Sequence, residues 1–299
     1  MYIGVELGGQ STRILVAECE TSFENFTPFY EKTITTSTGK QTLNDIIEAL
    51  ESFFISSLIK TDYICLGIAS FGPVDINPSS PKYGFILDTP KPEWSQTDIV
   101  TPLSNSLKNH CKELIVQLES DVSAPAKMWA YLLDKKASYI TIGTGIGVGF
   151  SNPKDLNCEI GHFVVTAHQN DKNYETCCPF HKKHLCVEGA ACAVALAKKL
   201  DCEIGRIQDF VTKEILESEA FYIAQLCYNA TLITEIDTII LGGGVSKMEG
   251  LIEKVQQQVD EMNGKYRSKV EIRGDEGLNG YPSGIASAIY IAKSLADLG

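Results

Sequence analysis

Between His162 and Cys186 the chain concentrates four of its five histidines and three of its ten cysteines. Soft ligands gathered this tightly read as a zinc site, and the useful quartet is His162, Cys178, His181 and Cys186. Cys178-Pro179-Phe180-His181 puts a thiolate and an imidazole three residues apart on one turn, and the two outer ligands clamp that turn to its flanks. Four protein ligands leave no open coordination position, so the ion is expected to shape a loop and not to catalyse. The chemistry then falls to carboxylates anchored within three residues of a ligand. These are Glu159, in Glu159-Ile160-Gly161-His162, and Glu188, in Cys186-Val187-Glu188-Gly189. The competing reading is incidental richness in Cys and His, with His168, His184 and Cys177 as surface residues.

Three glycine turns follow apolar strands: Gly8-Gly9, Gly143-Thr144-Gly145 and Gly242-Gly243-Gly244. Glycine lets backbone N–H groups approach phosphate oxygens, and the Thr144 hydroxyl adds a donor. A lone glycine after a strand is more often a tight turn, so the set carries the argument and its members do not. None fits GxxxxGK[ST], and none fits GxGxxG within a strand-helix unit followed by an acidic residue, which argues against P-loop and Rossmann readings. Asp121 follows the apolar strand Leu114 to Leu118, at the end of a strand where open α/β sheets hold ligands. There it is suited to accept a proton from a substrate hydroxyl; its structural alternative is a helix N-cap.

The elements that position these groups alternate strand and helix. Tyr2 to Gly9 and Thr12 to Ala17 form a hairpin, echoed by Tyr139 to Gly145 and Ile146 to Phe150, which suggests a duplicated unit. Thr42-Leu43-Asn44-Asp45 resembles a capping box before a helical run to Leu58. Helices are expected near Glu188 to Leu200, Gln208 to Thr234, Lys247 to Met262 and Ser283 to Leu298. The reading is an α/β chain of two lobes, 1–120 and 121–282, hinged near Asp121 with a ligand cleft between them and the last helix (283–299) returning to the first lobe. A formal charge of −12 argues against non-specific nucleic-acid binding. No 18-residue apolar run suits a membrane span, and no leader is expected before the first strand. Cys19, Cys65, Cys111, Cys192, Cys202 and Cys227 are scattered as reduced thiols would be, so a cytosolic protein is expected.

Together the pieces resemble the ROK family of sugar kinases, and within it the bacterial-type fructokinases. The resemblance rests on Ser70-Phe71-Gly72-Pro73-Val74-Asp75, Thr89-Pro90-Lys91-Pro92-Glu93-Trp94, Gly143 to Gly149, Glu159 to His162 and Cys178-Pro179-Phe180-His181, in the family's order. It implies the actin-like ATPase fold of two ribonuclease-H-like lobes. It implies Asp121 as catalytic base, and Gly72, Ser120, Asp121, Glu159, His162 and Glu188 near the sugar hydroxyls. Gly8, Gly9, Thr12 and Gly143 to Gly145 would hold phosphates of MgATP, and Gly242 to Gly244 would line the adenosine side. The implied reaction is ATP:hexose 6-phosphotransfer to fructose, with structural zinc, Mg2+ brought by ATP, and a homodimer. The alternatives are a kinase of mannose, glucose or an N-acylhexosamine, or a sugar-binding sensor without phosphotransfer.

Three departures stand out. Gln10 replaces the family's threonine after the two glycines, ahead of Ser11-Thr12-Arg13, so the phosphate loop is reshaped. Ser120-Asp121-Val122-Ser123 stands where N-D-x-N is common, putting hydroxyls for amides beside the base. The zinc loop carries Lys182-Lys183-His184-Leu185 where two residues are usual, which leaves His184 as a substitute ligand.

Overall fold

Strand β1 (Tyr2–Leu7) is buried at five of its six positions, the mark of a strand covered on both faces. In the computed structural model, which describes residues 1–18, 26–89, 91–152, 159–171, 175–266 and 268–296, β1 is the centre of a five-stranded sheet. Cys19, Pro90 and Leu298 lie outside the described residues. β1 pairs antiparallel with β2 (Ser11–Glu18), which pairs antiparallel with β3 (Thr27–Thr35). On its other side β1 runs parallel to β4 (Thr61–Ser70), and β4 parallel to β5 (Cys111–Ser120). The order is β3-β2-β1-β4-β5.

Helix α1 (Gly39–Ser57) and α2 (Val100–Leu107) help close one core, in which Ile46, Leu50, Leu103 and Leu107 join Ile3, Val5, Ile14, Ile64, Leu66 and Ile68 of the sheet. The cap of α1 is Thr38, whose side chain accepts from the Gln41 N–H, and not Thr42 as the capping-box pattern suggested. Thr42 is buried one turn inside, where its hydroxyl accepts from the Ser37 N–H at 2.9 Å. The helix therefore starts earlier, because a second Thr four residues upstream offers a cap that leaves Thr42 for the interior. α3 (Ser123–Leu133) follows β5, and the last helix, α8 (Ser283–Ala296), packs on β1 and β4. That approach needs Gly67 on β4, since a Cβ there would collide with the backbone of Ala288 and Ala292.

The chain divides into two compact units, Met1–Met128 with Glu276–Gly299, and Trp129–Asp275. The second unit repeats the hairpin scheme: β6 (Ala137–Ile142) pairs antiparallel with β7 (Ile146–Phe150) and parallel with β8 (Thr238–Gly242), which runs parallel to β9 (Glu271–Gly274). The single helix expected over 188–200 is two, α4 (Val187–Ala191) and α5 (Ala193–Leu200). Cys192 breaks the run with extended backbone, and its sulfur caps α5 by accepting from the Ala195 N–H at 3.4 Å. α6 (Lys213–Ile233) starts at a Thr212 cap, later than the periodicity suggested, because 204–210 is a 3-10 turn. α7 (Leu251–Asn263) precedes β9. Among the described residues no helix is long and apolar enough to cross a membrane.

Candidate functional site

In the second unit His162, Cys178, His181 and Cys186 converge, with one ligand atom from each lying within 4.8 Å of all the others. Cys178 Sγ is 3.6 Å from His162 Nδ1 and 3.4 Å from His181 Nδ1, and Cys186 Sγ is 3.9 Å from His162 Nδ1. A tetrahedron with Zn–S of about 2.3 Å and Zn–N of about 2.0–2.1 Å has N···S edges of about 3.6 Å, so this donor set fits the ion. Burial, together with the adjacent Cys178, pushes the Cys186 thiol up to about 11, partly offset by the Gly189 N–H that it accepts. Such thiols ionise when a cation takes the proton's place. His184 is exposed and is not one of the four, so the longer loop leaves the quartet intact.

Glu188 links this cluster to the second glycine turn. One carboxylate oxygen accepts from the Ile146 N–H at 3.0 Å, and the other lies 3.9 Å from His162 Nε2, on the ring edge away from the cysteines. A metal-bound histidine is commonly oriented by a carboxylate on its second nitrogen, and Glu188 stands in that direction. The turn itself is tight: the Gly143 N–H donates to the Gly145 carbonyl at 2.9 Å, and a Cβ at Gly145 would sit 2.8 Å from the Glu188 oxygen. Thr144 is exposed at its tip. Glu159 is exposed, and its carbonyl accepts from the His162 N–H at 3.0 Å, closing a short 3-10 turn. The third turn leaves β8 at Gly242, with Gly243 at a φ of 87° and the Gly243 carbonyl accepting from Ser246 Oγ at 2.9 Å. Beside Gly242 the Tyr139 hydroxyl donates to Asp275 Oδ2 at 2.7 Å, a pair that sequence reasoning missed because its members are 136 residues apart.

In the first unit Asp121 directly follows β5, and its N–H donates to the Ser70 carbonyl at the end of β4 at 2.7 Å. The first turn of α3 is fixed by Ser120 and Ser123, each side-chain oxygen accepting from the other's N–H at 3.0 Å. This is the reciprocal logic of a capping box, with Ser in place of the usual Glu. The two hydroxyls that replace amides beside Asp121 therefore serve as the cap. Behind them Ser123 Oγ donates to Glu119 at 3.1 Å, and Glu119 pairs with Lys127. Sequence reasoning missed that pair, although an acid and a base eight residues apart across a strand-helix turn are a usable signal.

The first glycine turn is braced by Thr36, whose Oγ1 donates to the Gly8 carbonyl at 2.8 Å. Thr12 is 0% exposed and its hydroxyl lies 2.9 Å from Thr36 Oγ1. It supports the turn from below. Arg13 pairs with Glu6 at 2.9 Å, and the cation at the turn is instead Lys91, which donates to the Gly9 carbonyl. Gly72 is exposed just past the end of β4.

The profile of the ROK family matches residues 2–293. The chain belongs to the ROK family. It is 32% identical over 246 residues to a fructokinase from Zymomonas mobilis, covering 78% of this chain and 77% of that one. A fructokinase from Streptococcus mutans is 30% identical over 275 residues, with 89% of this chain and 87% of the relative covered. Among solved structures, a ROK hexokinase from Thermus thermophilus superimposes with a TM-score of 0.69 at 19% identity, covering 100% of this chain and 99% of that one. A ROK glucokinase from Streptomyces griseus, solved with glucose and AMPPNP, gives 0.70 at 17% identity, with 98% and 99% covered. The fold is therefore the two-lobed actin-like ATPase fold of this family, as the resemblance implied.

Proposed function

We propose that this chain transfers the γ-phosphoryl group of MgATP to the 6-hydroxyl of fructose. Family membership and its curated relatives make it an ATP-dependent sugar kinase. The observation that carries the fructose reading is the similarity to curated fructokinases along most of both chains. Asp121 is assigned as general base, accepting the proton of the sugar hydroxyl as its oxygen attacks the γ-phosphorus. Its position supports this, at the carboxyl ends of two parallel strands and on a turn held by Ser70, Ser120 and Ser123.

Gly72, Ser120, Glu159, His162 and Glu188 are assigned to the sugar hydroxyls. Gly8, Gly9, Gly143, Thr144 and Gly145 are assigned to the phosphates, and Gly242, Gly243 and Gly244 to the adenosine side. Thr12 serves through Thr36 and not by contact. Mg2+ bound with ATP neutralises charge on the transferring group. Zinc held by His162, Cys178, His181 and Cys186 is structural, fixing the loop from which Glu188 reaches Ile146.

The test is ADP release from MgATP over a panel of fructose, mannose, glucose and N-acetylmannosamine. Fructose should give the highest kcat/KM, and a clear preference for another sugar would overturn the fructose assignment. Asp121→Asn should lower kcat by about 10²-fold or more with sugar binding retained; near-normal turnover would remove Asp121 from the mechanism.

A further inference from the structure

The first glycine turn carries no cation of its own. The nearest basic side chain that follows it, Arg13, is drawn to Glu6 at 2.9 Å and lines a different pocket with Glu31 and Tyr281. The charge at the turn comes from 82 residues away, where Lys91 Nζ donates to the Gly9 carbonyl. The ammonium also sits 4.8 Å from the centroid of Phe71, and Phe71 is held edge-on by Trp94 at 5.0 Å. Trp94 is itself pinned, its indole N–H donating to the Ser37 carbonyl at 2.7 Å, so Lys91 rests on a fixed aromatic platform.

The carbonyls of the turn are tied one by one. Gly8 O accepts from Thr36 Oγ1 at 2.8 Å, Gly9 O from Lys91, and Gln10 O from the Thr36 N–H at 3.0 Å. In a trans peptide the C=O and the following N–H point in opposite directions. Holding the Gly8 and Gly9 carbonyls therefore fixes the Gly9 and Gln10 N–H groups in the directions opposite them, and neither has a partner among the described residues. Successive backbone N–H groups left without a partner in a turn are suited to an oxyanion.

We propose that Lys91 is a positioning residue for the nucleotide phosphates: by fixing the Gly9–Gln10 peptide and adding its charge, it replaces the basic side chain that the turn lacks. This rests on the kinase reading above. It names a residue that the turn's own sequence does not contain, and it explains how Gln10 is tolerated, since the donors are backbone groups.

The test measures MgADP and AMP binding by calorimetry, with steady-state kinetics, for wild type, Lys91→Met, Lys91→Gln and Lys91→Arg. Lys91→Met should weaken MgADP binding and raise KM for MgATP about ten- to a hundredfold, the scale of one hydrogen bond to a charged group. AMP binding and KM for the sugar should change less than about twofold. Lys91→Arg should recover most of the loss because it keeps charge and donor, and Lys91→Gln should recover part through its amide donor. Unchanged MgADP binding in Lys91→Met and Lys91→Gln would overturn the proposal, as would a rise confined to the sugar KM. A wild-type chain that binds MgADP but phosphorylates no hexose would sink the hexose assignment alone, with the binding series still deciding Lys91. Wild type that binds no nucleotide would overturn both.

Discussion

Glu188 is the side chain that reaches both the His162–Cys186 loop and the second glycine turn, so its substitution should disturb both at once. Its hydrogen bond from the Ile146 N–H, at 3.0 Å, is charge-assisted. Such bonds contribute about 1.5–3 kcal/mol, against about 0.5–1.5 kcal/mol for neutral ones, and Glu188 keeps some solvent contact. Glu188→Gln should therefore cost about 1 kcal/mol at the turn, whereas Glu188→Ala leaves the amide unpaired at a cost of about 1–3 kcal/mol. The carboxylate facing His162 Nε2 is lost in both, and removing the outer partner of a metal-bound histidine typically lowers affinity about 10–100-fold. Two readouts follow. Hydrogen exchange at the Ile146 amide should accelerate in Glu188→Ala by roughly tenfold or more, and competition with a chromogenic chelator should show weaker zinc binding in both variants. Loss of turnover with unchanged zinc affinity and unchanged Ile146 protection would refute the link and leave Glu188 as a sugar contact only.

Removing the metal from the whole protein with a strong chelator should lower Tm and activity together, and added zinc should restore both; one zinc per chain is expected by elemental analysis, and a zinc-free active preparation would exclude the site. Lys127→Met strands Glu119, whose side chain is 7% exposed, and should destabilise the protein by about 3–5 kcal/mol in chemical denaturation; Glu119→Gln added to it should recover much of that loss if the buried charge is the cause. Glu219 is fully buried on α6 with neither carboxyl oxygen hydrogen-bonded among the described residues, and burial holds its pKa well above the ordinary carboxylate value, with Lys199 opposing and Asp171 reinforcing. The native chain then holds the Glu219 proton more tightly than the unfolded chain does, so stability falls as pH rises from the ordinary carboxylate range through the elevated value. Glu219→Gln should be more stable than wild type at pH 8 by on the order of 1 kcal/mol, with the gap closing toward pH 4; a less stable variant at pH 8 would mean that Glu219 is ionised against Lys199.

Local pattern decided the elements and the short-range chemistry. Apolar runs ending in glycine marked β1, β6 and β8 and the three turns, because a strand covered on both faces and a close backbone approach each restrict residue type. The convergence of four side chains that could hold a metal was legible for the same reason: Cys178 and His181 share one turn, and the loop is short enough for His162 and Cys186 to close it. Periodicity reports which face of an element is buried but not which groups meet across the fold. It therefore could not see that Cys192 divides a continuous helical pattern, since that depends on a sulfur finding the Ala195 amide. Nor could it separate Thr38 from Thr42 as a cap, when either offers the same hydroxyl and only packing buries one of them. The partners of the glycine turns lay furthest from view. Lys91 reaches Gly9 across 82 residues and Glu188 reaches Ile146 across 42, while Arg13, close in sequence, turns to Glu6 because the β1–β2 register sets them opposite each other. Strand pairing and chain return place these charges, so only the tertiary structure decides which cation stands at which turn.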